Sequence, residues 1–136
     1  MKAVILIFCA FIAISLQLDF KKFIADFEDA MYKNARDCYK ENNLTRKQLD
    51  DALALSRLPN DRSIKCFLDC AANHLNVVDQ LGNLVEDNFK AYLYVVDDGL
   101  KDQIYKECKD LKGEGECEKI YNISECVLEN VAKNSD

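Results

Sequence analysis

Residues 64–70 read Ile64-Lys65-Cys66-Phe67-Leu68-Asp69-Cys70 and place two cysteines four positions apart in a segment with helical periodicity. On a helix this spacing puts Cys66 and Cys70 on the same face, one turn apart. Neighbouring positions of a regular helix orient their Cβ atoms poorly for a mutual disulfide. Each of these two cysteines is therefore predicted to bond to a different part of the chain.

Four more cysteines, Cys38, Cys108, Cys117 and Cys126, are available as partners. Cys117 and Cys126 are nine positions apart, on opposite faces of a continuous helix, so they too should bond to separate partners. Six cysteines allow fifteen pairings, and the spacings exclude several without choosing among the rest. Zinc sites need closely spaced Cys-x2-Cys pairs, usually with histidines, whereas this chain has one histidine. We predict neither a metal nor a cofactor.

Residues 1–17 are predicted to form a secretory signal peptide. Lys2 precedes a twelve-residue apolar run from Ala3 to Ile14, which is shorter than the roughly 20 residues of a membrane-spanning helix. Cleavage near residues 15–17 leaves a domain at 18–136 with 17 basic and 24 acidic residues, a formal charge of −7. An acidic surface repels phosphate, which argues against nucleic acid and anionic membranes as partners. No later stretch is apolar enough for membrane insertion of the mature chain.

Apolar residues recur with the 3.6-residue period through the mature chain, which predicts an all-α domain. Helix-breaking residues are few: one proline, four glycines and the Asn42-Asn43 pair divide the chain into segments of helical length. Thr45 and Gln48 have the spacing of a capping box. Six helices are expected: the first five begin near Phe20, Thr45, Asp61, Val85 and Gly99, and the last carries Ile120, Ile123, Val127 and Val131.

The six cysteines follow the spacing Cys38-x27-Cys66-x3-Cys70-x37-Cys108-x8-Cys117-x8-Cys126. This pattern resembles the six-cysteine signature of the insect odorant-binding proteins, the pheromone-binding and general odorant-binding family. The x3 and x8 intervals are its specific part, and it covers nearly the whole mature chain. The resemblance implies a compact six-helix domain around an internal apolar cavity, stapled by three interlocked disulfides. The implied pairs are Cys38–Cys70, Cys66–Cys117 and Cys108–Cys126.

The resemblance also implies a function. The chain is expected to be a secreted, non-enzymatic carrier of small hydrophobic molecules, such as odorants or pheromones, in sensillar lymph or another body fluid. A membrane chemoreceptor would be a further partner. Phe23 and Phe27 are expected to close one side of the cavity. The expected ligand-binding residues, on the inward faces of the later helices, are Leu75, Leu84, Phe89, Leu93, Ile104, Ile120 and Val127.

Two other functions stay open at this point. The same fold could serve as a carrier in saliva, venom or reproductive fluid. Alternatively, the chain could be a signalling or toxin-like helical protein that acts through its surface, which would show a solid core and a contiguous exposed apolar patch. Enzyme motifs give no support to catalysis, because no Gly-x-Ser-x-Gly element occurs and His74 has no nucleophile at a recognisable spacing.

Three smaller features bear on regulation and processing. His74 is predicted near a helix end, where its charge can interact with the last carbonyls. Only ten residues follow Cys126, and this tail is too short and polar to be expected to enter the cavity. Asn43-Leu44-Thr45 and Asn122-Ile123-Ser124 match the acceptor sequence for N-linked glycans. The first lies in a predicted loop, whereas the second lies in a helix held by disulfides and is the poorer acceptor.

Overall fold

Helices are the regular secondary structure of the residues that the computed structural model describes, which are 18–55, 57–94 and 96–135. The predicted signal peptide at 1–17 lies outside these ranges. No β-strand and no helix with the length and hydropathy to cross a membrane occurs within them. The all-α fold class is confirmed. The helices are α1 (Phe20–Asn34), α2 (Arg36–Glu41), α3 (Arg46–Leu53), α4 (Arg62–His74), α5 (Glu86–Ala91), α6 (Asp98–Cys108) and α7 (Glu118–Lys133).

The described part of the chain has seven helices, one more than the sequence predicts, because the first predicted helix is divided at Ala35. Ala35 has φ −132° and ψ 35°, outside the helical region, and its N–H donates to the Met31 carbonyl at 2.7 Å. A methyl side chain fits this corner, which is fully buried. The bend turns α2 toward α4, where Cys38 forms its disulfide.

Four helices begin at a residue whose side chain caps the first turn. Asp19, Asp61 and Asp97 each accept a hydrogen bond from a backbone N–H two or three residues further along. Thr45 forms the predicted capping box, in which its hydroxyl accepts from the Gln48 N–H at 3.1 Å and the Gln48 side chain accepts from the Thr45 N–H at 2.8 Å. Each cap satisfies a donor that the helix leaves unpaired, which stabilises the fold by about 1 kcal/mol.

Three disulfides join these helices, and two of them start from α4. One links α4 to α2, the second links α4 to the residue before α7, and the third links the end of α6 to the middle of α7. The bonds interlock, because each loop that they close contains a cysteine of another pair. They are the pairs that the family resemblance implies: Cys38–Cys70, Cys66–Cys117 and Cys108–Cys126.

The core lies between α4 and α7, which pack along each other while the remaining helices cover them. Phe67 of α4 and Val131 of α7 are fully buried. Phe23 and Met31 bring α1 onto the same core. The Tyr39 ring of α2 contacts the edge of Phe67, with 4.6 Å between the ring centroids.

Glu28 of α1 is the buried charged side chain among the described residues, with 4% of it exposed. Arg46, the first residue of α3, binds the Glu28 carboxylate through Nε at 3.0 Å and also pairs with Asp29. Burial raises the pKa of Glu28, a hydrogen bond with Asp50 raises it further, and Arg46 lowers it. Burial and the negative charge of Glu28 raise the pKa of Tyr39 to about 12. These polar contacts fasten α1 to α3.

The raised pKa of Glu28 predicts a pH dependence of stability. The folded chain holds the Glu28 proton more tightly than the unfolded chain, so this residue stabilises the fold increasingly as the pH falls through its folded pKa. The gain ends near 4.5, the ordinary glutamate value, where the unfolded chain also takes up the proton. Glu28→Gln cannot titrate. We compare the free energy of unfolding of Glu28→Gln with that of the natural chain at each pH. The value for the variant minus the value for the natural chain should be highest at pH 7 and should decline toward pH 4.5.

Urea unfolding at several pH values measures this difference. The exposed residue Glu129 of α7 provides the matched control, Glu129→Gln. If the difference in free energy of unfolding between Glu28→Gln and the natural chain were the same at every pH, the description of Glu28 as a buried, ionisable residue would be contradicted.

Candidate functional site: an internal apolar cavity

An apolar cavity lies between α1, α4, α7 and the residues around α5. Its wall is almost wholly hydrocarbon, because only Tyr92 and Ser124 have polar side-chain groups and no described lining residue is charged. The lining residues are Phe23, Phe27, Met31, Leu53, Leu68, Ala71, Ala72, Leu75, Val77, Leu84, Phe89, Tyr92, Leu93, Ile120, Ile123, Ser124, Val127 and Leu128.

The cavity is small. The space open to the centres of water-sized spheres amounts to about 80 Å³. On this measure about 10–15 Å³ holds one water molecule, so the cavity admits a molecule of several heavy atoms. Water finds few hydrogen-bond partners against hydrocarbon walls, whereas an apolar molecule gains free energy by leaving water. The geometry therefore favours a compact molecule that is mainly hydrocarbon.

One wall of the cavity comes from a single face of α7. Ile120, Ile123, Ser124, Val127 and Leu128 follow the i, i+3, i+4, i+7, i+8 spacing of residues that share a helix face. Two of the three disulfides end on α7 or on the residue before it, and they fix this helix against α4 and α6. The orientation of this wall is therefore covalently constrained.

Ser124 is the polar residue of that wall. It is half-buried, and its hydroxyl forms no hydrogen bond with another described residue. A serine hydroxyl can donate one hydrogen bond and accept others. The α7 wall of the cavity therefore offers one hydroxyl, beside hydrocarbon, to an oxygen-bearing molecule.

The segment between α4 and α5 adds Val77 and Leu84 to the lining. The Val85 N–H donates to the Val77 carbonyl at 2.7 Å, which holds the two ends of the segment together. Inside it, Asp79 Oδ1 accepts from two backbone N–H groups, both at 2.9 Å. Gly82 has a φ of +81°, a left-handed conformation that glycine adopts without strain. This tight turn places both apolar side chains at the cavity.

The sequence model of the PBP/GOBP family matches residues 21–130. The chain belongs to this family. General odorant-binding protein 57c of Drosophila melanogaster is 28% identical to it over 108 residues, which are 74% of this chain and 71% of that relative. The recognition of the insect odorant-binding protein family from the cysteine spacing is confirmed, and this family is a class of small-ligand carriers.

Six of the seven residues expected to contact a ligand lie in the lining of this odorant-binding fold, namely Leu75, Leu84, Phe89, Leu93, Ile120 and Val127. Phe23 and Phe27 of α1 also line the cavity. Ile104 does not: it is fully buried in α6, which packs on α5 and α7, and it is not part of the lining. Periodicity identifies the inward face of α6, but that face contacts neighbouring helices instead of the cavity.

The sequence analysis missed the part of the lining that α4 contributes. Leu68, Ala71 and Ala72 precede Leu75 with the spacing of one helix face, so the period of α4 would have identified them. Met31 and Leu53 come from α1 and α3, and their place in the lining depends on how these helices pack. Ser124 has no sequence signal, because a single serine in an apolar helix face is more often a neutral substitution than a site.

His74 lies outside the cavity lining, as the exposed last residue of α4. Its Nδ1 lies 3.0 Å from the Cys70 carbonyl oxygen, the distance expected when Nδ1–H donates to that oxygen. The Cys38 and Cys70 sulfurs are also near, and these three residues could in principle hold a metal ion. The two sulfurs are bonded to each other and present no thiolate, so we assign no metal to this group.

The position of His74 predicts a small effect of pH on ligand affinity. Histidine is the side-chain type whose ordinary charge change falls between pH 5 and 8. The one histidine of the chain is exposed and lies outside the cavity lining. We expect the affinity for an apolar fluorescent probe to change less than about tenfold between pH 7 and 5, which is about 1.4 kcal/mol. Probe titrations of the natural chain and of His74→Ala measure this change.

A much larger loss of affinity that disappears in His74→Ala would contradict this placement of the histidine. A large loss that persists in the variant would identify a different proton acceptor, and the buried carboxylate of Glu28 is the first residue to substitute.

Proposed function

We propose that this chain is a secreted carrier that holds one small hydrophobic molecule in its internal cavity and transports it through extracellular fluid. The single observation that carries this proposal is the cavity between α1, α4 and α7, whose wall is nearly all hydrocarbon. Membership of the odorant-binding family supports the same conclusion. Odorants or pheromones are the proposed cargo, and a membrane chemoreceptor is the proposed recipient.

Secretion is supported by the predicted signal peptide at 1–17 and by the cysteines. All six cysteines of the described residues are in disulfides. Disulfides persist outside the cell and are rare in the cytosol. The protein is therefore proposed to act in an oxidising body fluid. The tissue in which it is made would distinguish a carrier in sensillar lymph from one in saliva, venom or reproductive fluid.

A surface-acting signalling protein is the less supported alternative. Its expected marks are a solid core and a contiguous exposed apolar patch. The large hydrophobic side chains exposed among the described residues are Leu55, after α3, and Leu81, in the turn before α5. Single exposed leucines are ordinary on protein surfaces. The cavity in the core favours the carrier.

Catalysis also lacks support in this cavity. The hydroxyl of Ser124 would need an adjacent base to act as a nucleophile. His74 is outside the described lining, and no carboxylate belongs to it. We propose that Ser124 instead orients a ligand by one hydrogen bond, so that a short hydrocarbon with a single hydroxyl or carbonyl group binds best.

The proposal predicts that a charge in the cavity wall abolishes uptake. Phe89 is 6% exposed and lines the cavity, so Phe89→Lys places an ammonium group where no described lining residue can pair with it. We expect at least a tenfold loss of affinity for an apolar fluorescent probe. Ala91→Lys adds the same charge at an exposed position two residues further along and should bind as the natural chain does.

A second variant separates loss of binding from loss of folding. Ala71 lines the cavity and is 2% exposed, so Ala71→Leu fills part of the space with hydrocarbon. We expect it to lower probe affinity at least tenfold while stabilising the fold by up to about 2 kcal/mol. The matched control is Ala91→Leu at the exposed site. Probe binding that is equal in Ala71→Leu and Ala91→Leu would show that the probe lies on the surface, against the proposal.

A further inference from the structure

The structure distinguishes the two sequences that match the acceptor for N-linked glycans. Asn43 lies in the turn between α2 and α3, and Asn122 lies in α7. An attached glycan is bulky and hydrophilic, so the folded protein can carry one only where the asparagine side chain reaches solvent. Whether each asparagine can carry a glycan therefore depends on the environment of its carboxamide group.

Asn43 is exposed and has a φ of +52°, a left-handed conformation that asparagine tolerates better than most residues. The turn is held by its backbone: the Asn43 N–H donates to the Lys40 carbonyl at 3.2 Å, and the Leu44 N–H donates to the Tyr39 carbonyl at 2.8 Å. The carboxamide group of Asn43 takes no part in these bonds. A glycan on its Nδ2 would leave the turn intact.

Asn122 is half-buried, and its Nδ2 donates to the Lys112 carbonyl at 2.7 Å. This bond ties α7 to the segment before it. The residue lies between Cys117 and Cys126, which are both in disulfides, and the serine of its acceptor sequence, Ser124, lines the cavity. A glycan on Nδ2 would have to disrupt this packing.

We propose that Asn43 carries an N-linked glycan in the exported protein and that Asn122 does not. This inference rests on the export that the proposed function includes. The order of synthesis also favours glycosylation of Asn43. The Cys38–Cys70 bond beside the Asn43 turn cannot form until Cys70, which is synthesised after Asn43, has left the ribosome. The Thr45 hydroxyl, which the acceptor sequence requires, is likewise free until α3 forms and the hydroxyl caps its first turn.

The chemistry is a glycosyl transfer from a lipid-linked oligosaccharide pyrophosphate, the donor of the secretory pathway. The Nδ2–C1 bond to the first sugar forms while the bond from C1 to the pyrophosphate oxygen breaks. The electron pair of the broken bond stays with the departing lipid pyrophosphate, which also receives the proton that Nδ2 loses. No oxidation or reduction occurs.

A glycan at this position would leave the cavity accessible. Asn43 borders a polar surface groove beside the Cys66–Cys117 bond, and that groove shares no lining residue with the apolar cavity. Ligand binding is therefore expected to be the same with and without the glycan.

The test is expression of the full chain in cultured insect cells, followed by mass spectrometry of the secreted protein before and after a peptide N-glycosidase in heavy-oxygen water. The enzyme leaves an aspartate labelled with heavy oxygen at each formerly glycosylated position. Asn43→Asp is therefore also the matched control for the deglycosylated protein. Asn122→Asp tests the second acceptor.

We expect one glycan on the secreted chain, lost in Asn43→Asp and kept in Asn122→Asp, and probe affinities within twofold for the glycosylated protein and Asn43→Asp. A secreted chain without a glycan, or a glycan that is lost in Asn122→Asp, would overturn the inference while leaving the carrier proposal intact. A chain that stays inside the cells unglycosylated would overturn this inference and the proposed secretion together.

Discussion

The rest of the structure depends on the pair of disulfides that start from successive turns of α4. Cys70 holds α2 against this helix, and Cys66 holds the start of α7 against it. The third bond then fixes α6 to the middle of α7. The other helices around the cavity connect to α4 through neighbours: α1 packs on α2, α3 packs on α1, and α5 packs on α6, which is bonded to α7. Two cysteines one turn apart cannot bond to each other without distortion, so their spacing directs them to different partners.

This constraint allows a small domain to keep an unfilled interior. An empty cavity of about 80 Å³ costs about 2 kcal/mol at roughly 24 cal/mol per Å³. One disulfide typically stabilises a small domain by about 2–4 kcal/mol, so a single bond offsets the cavity. Without disulfides, a chain of this size would have a low free energy of unfolding, and its core would be expected to collapse into the cavity. The same bonds that define the fold therefore make an internal binding site possible.

The sequence predicts those parts of the molecule that depend on local chemistry. Thr45 and Gln48 identify the start of α3, and the cysteine spacing, through the family that it resembles, identifies the disulfides. The division of the first helix at Ala35 was not predictable, because alanine is a good helix former. Ile104 shows the same limit of sequence-based prediction. Helical periodicity distinguishes buried residues from exposed ones, but it does not distinguish residues that line a cavity from residues in the solid core. The burial of Glu28 depends on Arg46, which lies in another helix.

Peptide mapping of the unreduced protein tests the disulfide constraint most directly. Cleavage after lysine and before aspartate separates all six cysteines, because Asp69 lies between Cys66 and Cys70, and Lys119 lies between Cys117 and Cys126. The structure predicts three linked peptide pairs, Cys38–Cys70, Cys66–Cys117 and Cys108–Cys126, and no free thiol among them. A peptide pair that joins Cys66 to Cys70 would contradict the fold and the cavity that it encloses.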